Sequence, residues 1–417
     1  MGISGRVFLR RMTAAGIGVA STALFPNRAT ASRKARDDAR AFLREHFVAD
    51  LHAHPSLKTY FFRKHIDFPH PAPAGTWPFT LRVDGPSLRR GGVDAVVSAI
   101  YVPEPEFLDD CAPLKFVANF QPSLHRLKKS LRDPPDRTAF AIMDHFEREL
   151  AREDVGQFAR LARSLYELDR IRREGKTAIL HAIEGGHALN GKIENVDAFH
   201  ARGVCMITLA HFYDVGVTGN TMGIPYRKSY RALRCFRDQY ASEHSSTGLH
   251  PFGRDALERM IELGMLVDLT HCTPEARNDI YLQAGSRTPL VLSHVGLHEL
   301  APYRINPTLD EVKRIADTGG VVGVIFLPFF LAGRHRGKGI DAIVETMARM
   351  LNAGGDECLG WGSDFDGFTN PPNDLTEPSD LPRLVDRMLR RFKPRIVEKI
   401  LGGNVRRVLE TGWRPPT

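Results

Sequence analysis

Residues 177–184 read TAILHAIE, an apolar run that ends in a glutamate and is followed by Gly185 and Gly186. The run is continuous rather than alternating, which is typical of a strand with both faces buried, as in a parallel sheet. Two later runs share this design, because 204–211 reads VCMITLAH and 265–271 reads MLVDLTH. Each run therefore predicts a buried strand that ends in a side chain able to carry charge or bind a metal ion.

Eight such runs alternate with stretches of helical periodicity, of which 158–171 is the longest and 255–263 and 309–316 are shorter. Alternating strand and helix predicts parallel βαβ units, and eight units are the count of an α/β fold of the (β/α)8 TIM barrel type. The predicted strands are 47–52, 93–101, 177–184, 204–211, 265–271, 289–294, 321–327 and 358–364.

Two segments do not fit this alternation and are predicted to be insertions in the barrel. The first, 55–90, is rich in Pro and Phe, and the second, 103–157, is rich in charged residues. We expect them to form a lid or a dimer contact. No stretch has the composition of an interdomain linker, so we expect residues 32–417 to form one domain.

The N-terminal residues 1–31 have the composition of an export signal. Arg10 and Arg11 precede the apolar run MTAAGIGVASTALF at 12–25, and the small residues Ala29-Thr30-Ala31 offer a cleavage site. An arginine pair before a weakly apolar run resembles a twin-arginine signal, and an ordinary secretory signal is the alternative. We therefore expect an exported protein, periplasmic or extracellular, without a stable membrane span.

The net charge of the chain is smaller once this segment is set aside. The full sequence of 417 residues has a net charge of +8, and residues 1–31 contribute four arginines and no acidic residue, which leaves +4. No block of Lys and Arg with interleaved aromatic residues is present, so nucleic acid is not the expected partner. The five cysteines are scattered, and we expect Cys205 and Cys358 to be buried free thiols in strands.

The predicted strands carry ligand-type residues at or just after their ends. Because the C-terminal ends of barrel strands meet at one mouth, these side chains are expected to lie together. Imidazole and carboxylate are the ligands of zinc and similar divalent ions. The residues are His52, His54, Glu184, His211, His271, His294 and Asp364.

This set exceeds what one tetrahedral ion with an open position needs, and it predicts two ions bridged by the Glu184 carboxylate. Two ions that share a hydroxide would supply a nucleophile at neutral pH. Asp364 is then free to move the proton to a leaving group. For Asp268, orientation of a ligand and simple barrel packing both remain open. No G-x-S-x-G elbow, Walker loop or G-x-G-x-x-G loop supports a serine nucleophile or a nucleotide cofactor.

Several motifs together resemble the membrane dipeptidase (renal dipeptidase) family of metallopeptidases, part of the amidohydrolase superfamily. The resemblance covers roughly 165–412 and the first strand. Its motifs are EGKTAILHAIEGG at 174–186, GVCMITLAH at 203–211, GLHPFGRDALERMIELGMLVDLTH at 248–271, LVLSH at 290–294, GSDFDG at 362–367 and GGNVRRV at 402–408.

The resemblance implies a barrel of the metal-dependent hydrolase type that cleaves the peptide bond of dipeptides with two zinc ions and a bridging hydroxide. It gives His52 and His54 to the first metal, His271 and His294 to the second, and Glu184 to both. It implies that His211 contacts the substrate carbonyl, that Asp364 is the acid/base, and that Arg304 binds the substrate's C-terminal carboxylate. Homodimers are common in the family, so a homodimer is a further expectation.

One departure concerns the first strand, where the family usually has His-x-Asp and this chain has His52-Ala53-His54. The exchange removes a negative charge from the first metal site. The resemblance therefore predicts the reaction type more firmly than the identity of the substrate. An amidase, lactonase or phosphoesterase at the same metal site therefore stays open as an alternative. A barrel that binds a metal or peptide without catalysis is the alternative from another class.

Overall fold

The structure is a computed structural model of the chain, and it describes residues 28–70, 80–113, 115–116, 125–221, 235–236, 245–332, 339–367 and 371–416. Its centre is a parallel sheet whose strands are buried almost throughout. The strands are β1 (Ala49–Ala53), β2 (Ala95–Tyr101), β3 (Ala159–Leu161), β4 (Thr177–Glu184), β5 (Val204–Thr208), β6 (Leu266–Asp268), β7 (Leu290–Val295), β8 (Val321–Val324) and β9 (Leu359–Trp361).

The main path of the sheet runs β1-β2-β4-β5-β6-β7-β8-β9, and every pairing along it is parallel. The two ends meet beyond β9, where Ala53 and Phe365 form a parallel bridge. Two backbone hydrogen bonds support this closure, from Asp364 N to His52 O and from His54 N to Phe365 O, each 2.9 Å long. The eight-stranded path is the predicted (β/α)8 barrel, so that prediction is confirmed.

Helices follow the strands and cover the outside of the barrel. They are α1 (Arg28–Glu45), α2 (Pro55–Phe62), α3 (Gly85–Gly91), α4 (Glu106–Asp109), α5 (His125–Ser130), α6 (Pro135–Leu150), α7 (Glu153–Gly156), α8 (Leu165–Arg173), α9 (Glu194–Ala201), α10 (Pro251–Leu263), α11 (Pro274–Ala284), α12 (Leu309–Asp317), α13 (Pro328–Ala332), α14 (Gly339–Gly354), α15 (Leu381–Leu389), α16 (Pro394–Glu398) and α17 (Asn404–Gly412).

The local sequence explains where these helices begin and end. Helix α12 begins with a capping box, in which Thr308 accepts from the Glu311 N–H and the Glu311 side chain accepts from the Thr308 N–H. Helix α10 begins with Pro251 and ends at Leu263, and Gly264, which has a left-handed φ of 72°, caps it. The predicted helices at 255–263 and 309–316 are confirmed by α10 and α12.

The predicted helix at 158–171 is wrong in its first half. Residues Ala159–Leu161 form β3, which pairs in parallel with the start of β4. Helix α8 begins only after Ser164, whose hydroxyl accepts from the Glu167 N–H and caps the helix. The apolar residues before the cap have helical spacing, but their backbone is extended because it pairs with β4.

The expectation that 103–157 forms a lid or a dimer contact is wrong as to a lid for the part that forms α6, and the dimer contact stays a prediction. Ile142, Met143 and Phe146 of this helix are fully buried in the main hydrophobic core. The segment 55–90 contributes α2 and α3, whose inner residues are also buried. Its residues 71–79 lie outside the described part of the chain.

The described cysteines have two roles. Cys205 and Cys358 are buried free thiols, as predicted, and Cys272 is a third. Cys111 and Cys235 form a disulfide across 124 positions of sequence, a pairing that the sequence did not predict.

The predicted export signal lies mostly outside the described residues, since the description begins at residue 28 with α1. Its predicted end, at residue 31, falls within the first turn of that helix. In the described ranges, no helix combines the length and apolar character that a membrane crossing requires.

Candidate metal centre

The predicted metal-binding residues meet at the C-terminal mouth of the barrel around the Glu184 carboxylate. Glu184 is the last residue of β4, is 2% exposed, and lies beside Tyr101 of β2 and Thr208 of β5 in the sheet register. Five imidazoles approach it from other strand ends. The distances to its Oε1 are 3.1 Å from His52 Nε2, 3.5 Å from His294 Nε2 and 3.7 Å from His271 Nε2, and those to Oε2 are 3.3 Å from His54 Nε2 and 3.7 Å from His211 Nε2.

Four of these imidazoles form two pairs. The Nε2 atoms of His52 and His54 are 3.0 Å apart, and those of His271 and His294 are 3.2 Å apart. Two such nitrogens cannot both carry a hydrogen at this separation, so at least one lone pair in each pair faces its neighbour. Each pair therefore places two Nε2 atoms beside the Glu184 carboxylate, where their lone pairs could bind a metal ion.

Asp364 lies next to the first pair, with its Oδ1 3.1 Å from His54 Nε2. Asp364 and His271 have left-handed φ values of 54° and 68°, which are uncommon for residues with a side chain and concentrate at functional sites. Gly367 is required beside them, because a Cβ there would lie 2.2 Å from Asp364 Oδ1 and 2.5 Å from His54 Cδ2. The GSDFDG motif thus places Asp364 tightly against the first imidazole pair.

The charges of the cluster favour a cation. Burial would raise the pKa of Glu184, but the surrounding imidazoles, His52 foremost, outweigh it and hold the pKa well below its usual value. Burial acts to lower the pKa of His52, yet the Glu184 carboxylate raises it to about 9. Burial and the neighbouring His52 hold the pKa of His294 well below its usual value. The rings of His52 and His294 stack with their centroids 3.8 Å apart. The centre therefore favours positive charge beside Glu184, but it disfavours protonation of both stacked rings at once.

Buried carboxylates one layer further out hold the ligands in place. Asp268 accepts a hydrogen bond of 2.6 Å from the Ser293 hydroxyl, which lies 2.8 Å from His294 Nδ1 and 3.5 Å from His52 Nδ1. Asp50 accepts from the backbone N–H groups of His52 and Ser363, and burial raises its pKa to about 7. Of the two alternatives for Asp268, the structure therefore favours the orientation of ligands.

The residues present suit a divalent metal ion of the zinc type. Among the described residues, Glu184 Oε2, His54 Nδ1 and His271 Nδ1 are buried without a hydrogen bond. A buried polar atom without a partner is costly, so a ligand is the expected partner of the Glu184 oxygen. Within the described ranges, three ligand triads lie in the mouth: His52, His54 and Asp364; Glu184, His271 and His294; and His52, Asp268 and His294.

A fourth triad, His65, Asp67 and Glu149, lies apart from the mouth. The Arg152 guanidinium already pairs with it, at 3.1 Å from Glu149 and 3.6 Å from Asp67. Its Nη1 also lies 2.6 Å from His65 Nδ1. An arginine at this position supplies the positive charge that a metal ion would bring, so the group is an ion-pair network.

Glu104 is a buried carboxylate of the mouth that the sequence did not predict. It is fully buried, and its Oε1 lies 2.9 Å from His211 Nδ1 and accepts from the Phe212 N–H at 3.0 Å. The Tyr101 hydroxyl donates to its Oε2 at 2.6 Å. Burial would raise the pKa of Glu104, but the imidazoles of His211 and His187 and the hydrogen bonds outweigh it and lower the pKa to about 2. Its position three residues after the end of β2 is the sequence feature that could have identified it as a residue of the mouth.

Arg304 follows β7 in a loop and is already engaged by protein groups. Its guanidinium donates to the Ser245 carbonyl at 2.5 Å and to Glu275 Oε2 at 2.5 Å. Its backbone carbonyl accepts from the buried Arg277 at 3.1 Å. The predicted contact of Arg304 with a substrate carboxylate would have to compete with the contact to Glu275, and it stays a prediction.

Comparisons with known proteins agree with this architecture. The sequence model of the membrane dipeptidase family (peptidase family M19) matches residues 36–412. The chain is 29% identical over 328 residues to the dipeptidase tcpJ of Claviceps purpurea, which covers 78% of this chain and 68% of that protein. It is 30% identical over 263 residues to an uncharacterised protein in the pqqA 5' region of Klebsiella pneumoniae, and this match covers 61% of this chain and 89% of that protein.

Solved structures share the fold. A metallopeptidase of Rhodobacter sphaeroides, liganded with a phosphinate mimic of the dipeptide L-Ala-D-Ala, superposes with a TM-score of 0.69 at 21% identity and covers 88% of this chain and 99% of that chain. The probable dipeptidase PvdM of Pseudomonas aeruginosa has a TM-score of 0.69 at 17% identity and covers 90% and 98%. Because the family model matches most of the sequence and the barrel gathers the residues of its motifs, this chain belongs to the membrane dipeptidase family of metallopeptidases.

Proposed function

We propose that the protein is a binuclear zinc dipeptidase that hydrolyses the peptide bond of a small dipeptide. The observation that carries the proposal is the position of Glu184, whose two carboxylate oxygens each face imidazoles from other strand ends. A carboxylate placed between two imidazole pairs suits two ions better than one. The relatives named as dipeptidases and the phosphinate dipeptide mimic in the Rhodobacter structure support the choice of substrate.

Each ion would be held by one imidazole pair and by Glu184. His52 and His54 would hold the first ion, and His271 and His294 the second. When bound, the two ions would supply a bridging hydroxide at neutral pH and polarise the peptide carbonyl. The hydrogen bond between Ser293 and Asp268 would keep the ring of His294 oriented.

Asp364 and His211 would act on the substrate directly. Asp364 is partly exposed and lies beside the first imidazole pair, so its carboxylate can take a proton and deliver it to the leaving amine. The Nε2 atom of His211 lies on the Glu184 side of its ring and would donate a hydrogen bond to the carbonyl oxygen as that oxygen gains negative charge. Arg304 would bind the substrate's C-terminal carboxylate after exchanging its contact with Glu275.

The test combines metal analysis with a substrate panel. We expect about two divalent ions per chain and hydrolysis of dipeptides, with much slower turnover of the same peptides amidated at the C-terminus. Lactone, amide and phosphoester substrates assayed in parallel separate the related hydrolase activities. Fewer than about one tightly bound ion per chain, or no dipeptide hydrolysis at any zinc loading, would contradict the proposal. Tight peptide binding without turnover would indicate a binding protein.

We further propose that the chain is exported by its N-terminal segment. The support is the Arg10-Arg11 pair before the apolar run at 12–25. Cell fractionation and N-terminal sequencing of the mature protein test this, and replacement of both arginines by lysine tests the twin-arginine route specifically. Recovery of the unprocessed chain in the cytoplasm would contradict export.

A further inference from the structure

We propose that Glu104 is a positioning residue that fixes the orientation of the His211 ring for transition-state binding. This inference rests on the proposed function, because it concerns the ring that would contact the substrate carbonyl. The carboxylate lies on the side of the His211 ring opposite Glu184. Glu104 Oε1 is 2.9 Å from Nδ1, whereas Glu184 Oε2 is 3.7 Å from Nε2.

The contact determines which nitrogen of His211 faces the mouth and what that nitrogen can do. An ionised carboxylate only accepts hydrogen bonds, so Nδ1 must carry the hydrogen that lies between the two groups. The nitrogen that would contact the substrate carbonyl is then Nε2, on the Glu184 side. The carboxylate also places negative charge behind a ring that would donate from Nε2 to an oxygen gaining negative charge.

Further contacts make this arrangement rigid. Glu104 Oε1 also accepts from the Phe212 N–H, so one carboxylate oxygen holds both the ring of His211 and the backbone that follows it. The Tyr101 hydroxyl fixes the other oxygen. The rings of Phe212 and Tyr101 pack on His211 with centroid distances of 3.7 Å and 4.4 Å. A carboxylate with these contacts orients the ring before substrate arrives.

A purely structural role is the competing explanation, since a buried carboxylate with several hydrogen bonds also stabilises its loop. The two explanations differ in what E104Q does. Glutamine keeps the shape, and its Oε1 can accept from His211 and from the Phe212 N–H, while its amide group donates to the Tyr101 hydroxyl, which changes from donor to acceptor. The variant therefore removes the charge and keeps the same hydrogen-bonded pairs, so a structural role predicts little change in catalysis.

The control is E149Q in α6. Glu149 is also a buried carboxylate, 5% exposed, that contacts a histidine and a backbone N–H, here those of His65 and Ile66. It lies outside the metal centre. Loss of its charge matches the chemical change of E104Q without touching the mouth.

Steady-state kinetics on a dipeptide give the first readout. We expect E104Q to lower kcat by about 10- to 100-fold, the range for partners that orient active-site histidines, and to change KM by less than about threefold. The inhibition constant of a phosphinate dipeptide mimic, tetrahedral at phosphorus, should rise by about the same factor as kcat falls. E149Q should leave kcat and the inhibition constant within about twofold of the parent. Equal kinetics for E104Q and E149Q would overturn the inference.

Ring nitrogen NMR of the zinc-loaded protein gives a readout that does not depend on turnover. With ¹⁵N-labelled histidine and H211N to assign the signal, we expect Nδ1 of His211 to carry a hydrogen in the parent protein, shifted downfield by its contact with a carboxylate, and to lose that shift in E104Q. An Nδ1 without hydrogen in the parent would overturn the inference even if E104Q fails to fold. A parent protein without dipeptidase activity but with the expected NMR signal would contradict the proposed function and leave the positioning of His211 supported.

Discussion

The D364N substitution tests the proposed acid/base most directly. Asparagine has nearly the same shape as aspartate but cannot take up and release the proton, so transfer to the leaving amine should fail. General acid/base catalysis contributes about 10²- to 10⁴-fold, and we expect kcat to fall by that factor, which corresponds to about 3–5 kcal/mol in the activation free energy.

The structure also explains why asparagine is the right replacement. Asp364 has a φ of 54°, and asparagine tolerates this left-handed conformation, whereas alanine would add backbone strain. The Asp364 N–H donates to the His52 carbonyl at 2.9 Å, and the substitution leaves this backbone bond intact. We therefore expect the free energy of unfolding to change by less than about 1 kcal/mol.

The assay measures kcat on a dipeptide, the metal content and thermal unfolding in the same preparations. Turnover within tenfold of the parent would refute the acid/base role. Asp364 Oδ1 is 3.1 Å from His54 Nε2 and shares a ligand triad with His52 and His54, so a second outcome is informative. Loss of one ion per chain in D364N would identify Asp364 as a ligand of the first metal and would also refute the reasoning.

Three further predictions concern the metal, the acid limit of stability and the substrate carboxylate. Removal of metal by a chelator should lower Tm, and zinc should restore both Tm and activity, because the proposed ions would bind the folded cluster around Glu184 and not the unfolded chain. An unchanged Tm with complete metal loss would contradict this. Burial opposes charge on Glu147, but the His181 imidazole at 3.4 Å and the Arg202 guanidinium, which donates to it at 2.8 Å, outweigh burial and lower the pKa of Glu147 to about 2. A lowered carboxyl pKa stabilises the fold above about pH 4.5, and this contribution is lost as the pH falls towards 2. Glu147 is only half-buried, so we expect about 1–2 kcal/mol, and urea unfolding of E147Q between pH 3 and 6 should show a correspondingly flatter slope than the parent. R304A should raise KM for dipeptides by about tenfold or more without a comparable effect on C-terminally amidated peptides; an equal effect on both would show that Arg304, which donates to Glu275 and Ser245, acts on the loop and not on the substrate.

The barrel and the position of its mouth could be predicted because buried parallel strands have a sequence signature that does not depend on distant residues. The run that ends in Glu184 is apolar throughout, and its register beside β2 and β5 follows from the order of the strands. Each ligand-type residue at the end of such a run is carried to the same rim by the barrel. The grouping of His52, His271 and His294 around Glu184 therefore follows from strand ends alone.

Features that depend on tertiary pairing could not be predicted in this way. Ala159–Leu161 has the apolar spacing of a helix, and only its pairing with the start of β4 makes it a strand. Glu104 lies beyond the end of β2 in a Pro-rich turn, and its partner His211 comes 107 positions later. The disulfide between Cys111 and Cys235 joins residues 124 positions apart, and spacing alone does not identify such a pair.

The charge balance of the mouth gives the exchange of His-x-Asp for His-x-His a physical context. With His54 in place of a carboxylate, two divalent ions would face Glu184 and Asp364 as the nearest anions, which leaves more positive charge in the centre. The next layer holds buried carboxyl groups on separate elements, with Asp50, whose pKa burial raises to about 7, behind His52, Asp268 behind His294 through Ser293, and Glu104 behind His211. None of these three takes a place beside Glu184, so they can stabilise a cationic centre without filling the positions that substrate needs. Because each comes from a different strand or its following loop, the closed barrel is what brings this outer layer of charge together.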